Sequence, residues 1–331
     1  MFLAFAALAF DAPAADWVRA GANTNLPVWG LRQGLLWGIP PSRIRDGVPR
    51  GLIRLGYPVL PGGQYDLINF IAIEPVVKGN RGLSELEPSQ RDEVPGKRIW
   101  ADAGKFLNPA GTNLVPGAIT SLFNGVEQLE VTLRVEKFLN GAHVRLAIRQ
   151  RSDRPDEIAL SVYAETNSAA LDYCILTATM GNKARTRQLW LRDEVVSSLK
   201  LYPNHRDTKF APHTIFPLPR LHRSRDGDVL VAVTTDEERP EEFYPFPGSK
   251  LWHYGGSKVT QYWRKPAGSF RDGLQVAVNA RYTYWLSSQP IPGGTAFENF
   301  ELRERFQEGQ QFVFGITLKT PQELGFSGRP R

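Results

Sequence analysis

Two stretches of the sequence combine aromatic and cationic side chains where a plain core strand would carry Val and Ile. They are "KVTQYWRKPAG" (258–268) and "NARYTYWLSS" (279–288). In an extended strand successive side chains point to opposite faces. Thr260, Tyr262 and Arg264 then share one side of the first, and Gln261, Trp263 and Lys265 the other. In the second, Arg281, Thr283 and Trp285 oppose Ala280, Tyr282 and Tyr284. Neither strand has a clean apolar side. A sheet tolerates that where one face lines a wet groove, with apolar walls and a few convergent polar groups. The other reading is cross-strand aromatic packing with cations lying along the surface.

Carboxylates supply a second chemistry. Glu74 closes the apolar run "INFIAIE" and precedes Pro75, and burial there would raise its pKa as a general acid requires. Glu298, in "GGTAFENFELRERF", shares its strand face with Phe300 and Leu302, while Glu301 points the opposite way. If Glu74 and Glu298 converge, they form an acid paired with a base or nucleophile, as glycoside hydrolysis uses. The plain alternative for Glu74 is a strand end reaching solvent or an arginine. Lys183, Arg185 and Arg187 alternate in "MGNKARTRQLWLRDE" and read as a solvated cationic face.

Of the five histidines, His205 and His213 lie in the Pro-punctuated segment "LYPNHRDTKFAPHTIFPLP", where functional residues concentrate. There is no H-E-x-x-H and no closely spaced histidine pair, so no metal is expected. "GNRG" and "MGNK" lack the phosphate-loop and dinucleotide spacings, and "GSKL" and "GSKV" are not nucleophile elbows. No cofactor is expected. The one cysteine, Cys174, sits in the apolar run "LDYCILTATMG" and reads as a small buried thiol.

Positioning these groups falls to strands. "QLEVTLRVEKF", "HVRLAIRQ" and "EIALSVYAE" alternate apolar and polar residues with period two. "YCILTATM", "RQLWLRD", "GDVLVAVTT" and "QFVFGITLK" continue the series, with "NG", "DGD" and "PGG" at turns. Helical periodicity is confined to short candidates at 83–91 and near Pro321. Many strands without a βαβ rhythm predict an all-β protein, a large antiparallel two-sheet sandwich with few short helices. Residues 16–331 are expected to form one such domain, with an irregular portion over 16–125. Within that portion "VWGLRQGLLWGIPP" spaces Trp29 and Trp37 eight residues apart, either as a hydrophobic patch under loops or as an aromatic sugar platform.

The formal charge of +6 and pI near 9.4 favour an acidic partner. The basic residues are scattered and no nucleic-acid module stands out, so nucleic acid is not expected. No later apolar run is long enough to span a membrane. Residues 1–15 resemble a signal peptide: "FLAFAALAF" is an apolar core and Ala12-Pro13-Ala14 a cleavage-like site, although a basic n-region is missing. A secreted or periplasmic location is therefore expected.

The signal-like start, the long strand series, and strands such as "TQYWRK" and "RYTYW" resemble secreted bacterial carbohydrate-active proteins with a galactose-mutarotase-like β-sandwich. The resemblance covers residues 60 to 320 and assigns no individual residue a role. It implies polysaccharide degradation by a lyase or a glycoside hydrolase. A non-catalytic glycan-binding protein and a structural envelope protein remain alternatives. The expected partner is a poly- or oligosaccharide, acidic in view of the charge. In a lyase, Arg264, Arg281 or His213 would neutralise a uronate carboxylate, and Tyr262, Tyr282 or a histidine would take the proton beside it. In a hydrolase, Glu74 and Glu298 would act. Trp263, Lys265, Tyr282, Tyr284 and Trp285 would bind the sugar rings.

Overall fold

Period-two alternation along nearly every long strand produces two sheets with one apolar face each, and those faces pack together. The computed structural model describes residues 14–39, 50–101, 114–179, 181, 183–237, 251–253 and 255–329. The export segment expected over residues 1–15 lies outside the described residues as far as residue 13.

The first sheet runs, in spatial order, through Trp17–Arg19, Val28–Leu31, Leu36–Gly38, Leu52–Val59, Tyr65–Val77, Tyr173–Thr179, Ala296–Arg303, Gln275–Arg281 and Thr214–Pro217. The second runs through Val195–Ser197, Thr186–Trp190, Val229–Thr235, Thr260–Lys265, Gln310–Thr317, Arg154–Ala164, Val144–Arg151, Glu127–Val135 and Ile99–Trp100. Neighbours along both paths are antiparallel. The expected large antiparallel sandwich is what the chain forms. Among the described residues no helix is long and apolar enough to cross a membrane.

The inner faces carry Ile71, Ile73, Leu176, Phe300 and Val276 from the first sheet. Val131, Leu146, Leu160, Phe312, Phe314 and Trp263 meet them from the second. Polar bonds also cross the core: the Trp263 indole donates to the Phe300 carbonyl at 2.8 Å, and Asn69 donates to Gln261 Oε1 at 2.6 Å. Cys174 is buried on the same inner face, and burial pushes its thiol pKa up.

The structure departs from the expectation at the N-terminal end. The described residues of 16–125 supply the first five strands of one sheet and the edge of the other. The first three of these strands are three or four residues long and built around Trp and Gly, so their alternation is too brief to register as a period. Trp29 and Trp37 are direct cross-strand partners with ring centroids 4.8 Å apart, and both are buried. They are core and present no platform to a sugar. Residues 83–91 and the segment after Pro321 form turns; the only α-helix among the described residues is Ser198–Leu201.

Candidate functional site

The two aromatic-cationic strands belong to different sheets. Thr260–Lys265 lies between Val229–Thr235 and Gln310–Thr317, whereas Gln275–Arg281 lies between Ala296–Arg303 and Thr214–Pro217. They cannot line one groove. Trp263 faces the core, so Tyr262 and Arg264 stand on the outer face of the second sheet. There Arg264 binds Glu157 at 2.5 Å and Asp228 at 2.8 Å, and the Tyr262 hydroxyl donates to Glu157 at 3.0 Å. Gly315 opposite Tyr262 leaves room for the ring, which would collide with a Cβ there. Lys265 is fully buried, 2.7 Å from Glu304 and 4.2 Å from the centroid of the Phe312 ring. Tyr262, Trp263, Arg264 and Lys265 are thus explained by packing and ion pairing on the second sheet. The first strand lacks an apolar side because polar partners exist on each of its faces; the second stretch is a strand only as far as Arg281, and Val276, Val278 and Ala280 give that strand an apolar inner face.

Arg281 stands on the opposite side of the molecule. Val276, Val278 and Ala280 face the core, which turns Ala277, Asn279 and Arg281 outward from the first sheet. Cross-strand register puts Ala277 beside Glu301, Glu301 beside Thr177, and Thr177 beside Ala72. Glu74 follows two residues beyond Ala72 on the same face. Small residues in this row leave space above the sheet, and long charged side chains occupy it.

Arg81, in the short strand that pairs with the end of Tyr65–Val77, reaches over this row. Its Nη2 donates to Glu301 Oε2 at 2.9 Å and also contacts Glu74 Oε2. Arg303 donates to Glu301 through Nε at 2.6 Å, and His213 Nε2 lies 3.7 Å from the same carboxylate. Glu74 and Glu301 are buried, while Arg81, Arg303 and His213 keep 25%, 16% and 27% of their side chains exposed. The cluster is therefore partly open to solvent through the side chains of Arg81, Arg303 and His213, with Glu74 and Glu301 buried against them.

Three carboxyl groups compete for these cations. Burial drives Glu74 up to about 8 against the opposing pull of Arg81, with Glu301 and Glu85 adding to the rise. Burial also raises Glu85, to about 7. For Glu301 burial acts the same way, but Arg81, Arg303 and His213 outweigh it and hold the group below the usual carboxylate range. One buried acid is thereby protonated at neutral pH beside one that is ionised, the separation that acid–base sites exploit. His213 is lowered by burial, with Arg303 and Arg81 adding to the shift against Glu301, so its imidazole is neutral. A tautomer with Nε2–H toward Glu301 leaves Nδ1 to accept a proton.

Glu74 does not meet Glu298. Glu298 is about five residues along its strand from the row of Glu74, roughly 16 Å away. An irregularity between Val278 and Ala280 also breaks the alternation there, so that Phe297 and Phe300 both face the core. Glu301 takes the position beside Glu74 that had been expected of Glu298. Glu298 instead acts electrostatically on Lys183, whose pKa burial lowers to about 8. Arg185 and Arg187 are buried rather than solvated: they pair with Glu237 at 2.7 Å and Asp236 at 2.7 Å.

Tyr284 is buried beside Ile291 and Ala296, with its hydroxyl toward Arg185. Tyr282 lies under the Arg206 guanidinium at 5.1 Å. Trp285 is half-buried against Phe210 and Arg281. Sequence reasoning therefore found Glu74, His213 and Arg281 on the face that carries the cluster but missed Arg81, Glu301, Arg303 and Glu85. Among the described residues no group of three or more His, Cys, Asp or Glu could hold a metal ion. No family model matches the chain, and no curated protein matches it.

Proposed function

We propose that the outer face of the first sheet binds an acidic polysaccharide and cleaves it by β-elimination. The observation that carries this reading is the layering of the cluster: Arg81, Arg303 and His213 reach solvent while Glu74 and Glu301 lie beneath them. Paired guanidinium groups suit the planar carboxylate of a uronate ring. They would neutralise it and stabilise the negative charge that develops when the adjacent carbon loses its proton. The neutral His213 takes that proton, the bond to the glycosidic oxygen breaks, and a carbon–carbon double bond forms in the ring. The departing oxygen receives a proton from the imidazolium or from water.

Hydrolysis by Glu74 and Glu301 is the less favoured reading for a steric reason. The same Arg81 nitrogen touches both carboxylates, so a guanidinium occupies the space a glycosidic bond would need. Export of the protein to meet such a polymer belongs to the same proposal, supported by the apolar "FLAFAALAF" start.

Comparing Arg303→Ala with Arg264→Ala tests the assignment. Both arginines are ion-paired and largely covered, but they stand on opposite faces. Arg303→Ala should lose binding to polygalacturonate, alginate and hyaluronan immobilised as a panel, and Arg264→Ala should keep whatever binding the parent shows. The reverse pattern transfers the site to the second sheet.

A further inference from the structure

Phe210, Arg281 and Trp285 form a layered cluster on the face that carries Arg81 and Glu301. The Arg281 guanidinium lies 4.9 Å from the Phe210 ring centroid and 5.2 Å from that of Trp285. Its Nε donates to the Thr283 carbonyl at 3.1 Å, which fixes the plane of the group. The two rings are 5.8 Å apart at 38°, and Phe210 is 37% exposed. Leu286, next to Trp285, is 82% exposed with a positive φ of 53°. A non-glycine residue held in the left-handed region with its side chain in water is strained locally, and such strain gathers at functional sites.

The position of this cluster relative to the cationic one is fixed by a single strand. Ala277 is the cross-strand partner of Glu301, and Arg281 is four residues further along. That spacing is roughly 13 Å, on the order of two to three sugar rings. His213 is the member of the cationic cluster nearest in the chain to the aromatic one: it precedes Thr214, the partner of Val278, and the Ala211 N–H donates to the Ala280 carbonyl at 2.8 Å. Cations, imidazole and aromatic rings thus follow one another along one face of one sheet.

We infer that Phe210, Arg281 and Trp285 form a distal subsite that stacks against a sugar ring two to three residues from the bond that is cleaved. The inference rests on the elimination reading and adds the substrate's length: an oligomer of at least about four residues. Arg281 has little exposure of its own, so its part is to hold the rings apart and oriented. The apolar face of a pyranose ring matches a tilted aromatic pair, and a ring at this distance belongs to the same chain whose carboxylate Arg81 and Arg303 hold.

Oligomers of two to eight residues from polygalacturonate, alginate and hyaluronan serve as probes, with affinity measured on a His213→Ala background so that none is consumed. Affinity should rise by about tenfold or more between dimer and hexamer in the parent. That gain should vanish in Trp285→Ala and return in Trp285→Phe. Arg81→Ala should weaken every length by the same factor. A gain with length that survives both Trp285→Ala and Phe210→Ala overturns the subsite while leaving the elimination reading in place. If no oligomer of the three polymers binds the parent, that reading fails and the subsite with it.

Discussion

Arg81 joins two strands that are far apart in sequence: one guanidinium nitrogen donates to Glu301 at 2.9 Å and touches Glu74. Glu301 is the hub, because Arg303 and His213 address the same carboxylate. Glu301→Gln keeps the shape and removes the charge that orients all three. Turnover should fall by about 10²–10³, the usual loss when a positioned electrostatic group is removed. The melting temperature should fall as well, since stripping one partner from a buried ion pair costs about 3–5 kcal/mol. Unchanged turnover in a folded Glu301→Gln protein would show that the cluster is structural.

Glu74 gives the stability curve a distinctive slope. The folded protein retains this proton up to about pH 8, whereas an unfolded chain releases it near 4.5. Between those values the folded state binds the extra proton, so stability falls as pH rises across the window. Glu74→Gln imitates the protonated group and should remove this contribution. At pH 9 the variant should melt above the parent, and near pH 5 the two should agree. Parallel curves from pH 5 to 9 would mean that Glu74 is ionised throughout.

On the elimination reading, His213 is the base and its titration gives the acid limb of the pH profile. Burial lowers its pKa from the ordinary 6.5, so the neutral base persists below that value. The pH profile of kcat/KM should decline only below pH 6.5, and His213→Ala should lose about 10²–10⁴ of the rate while still folding. An acid limb above 6.5 that persists in His213→Ala would assign the base elsewhere.

Lys265 and Glu304 pair at 2.7 Å inside the sandwich, with almost no exposure of either. Breaking such a pair is costly, but replacing it whole by apolar residues often is not. Lys265→Met should destabilise by about 3–5 kcal/mol, and Lys265→Met with Glu304→Leu should recover most of that loss. Denaturant titration of the single and double variants decides the matter; a double variant as unstable as the single one would show that the pair is needed for more than its mutual charge.

The sandwich was legible because alternation is a local property: Leu129, Val131, Leu133 and Val135 announce an inward face without reference to any partner. The site was only partly legible because it depends on which strands become neighbours. Tyr262 and Arg281 look alike in sequence yet end on opposite faces, since the strand from Gln310 to Thr317 pairs with one and the strand from Ala296 to Arg303 with the other. Arg81 gave no signal, being a turn-flanking arginine whose partner lies 220 residues away. Glu301 was read with the correct face but without its neighbour Thr177, which only the register supplies. Glu298 was misplaced because a bulge shifts the phase of the strand, and a bulge has no mark in a single sequence.

Ultraviolet absorbance during incubation with uronate polymers separates the two chemistries, because elimination leaves a double bond conjugated to the carboxylate and hydrolysis does not. The elimination reading predicts a rise in absorbance with polygalacturonate, alginate or hyaluronan that disappears in folded His213→Ala and Arg81→Ala proteins and survives in Arg264→Ala. New reducing ends without absorbance, or a rise in absorbance that both first-sheet variants retain, would contradict it.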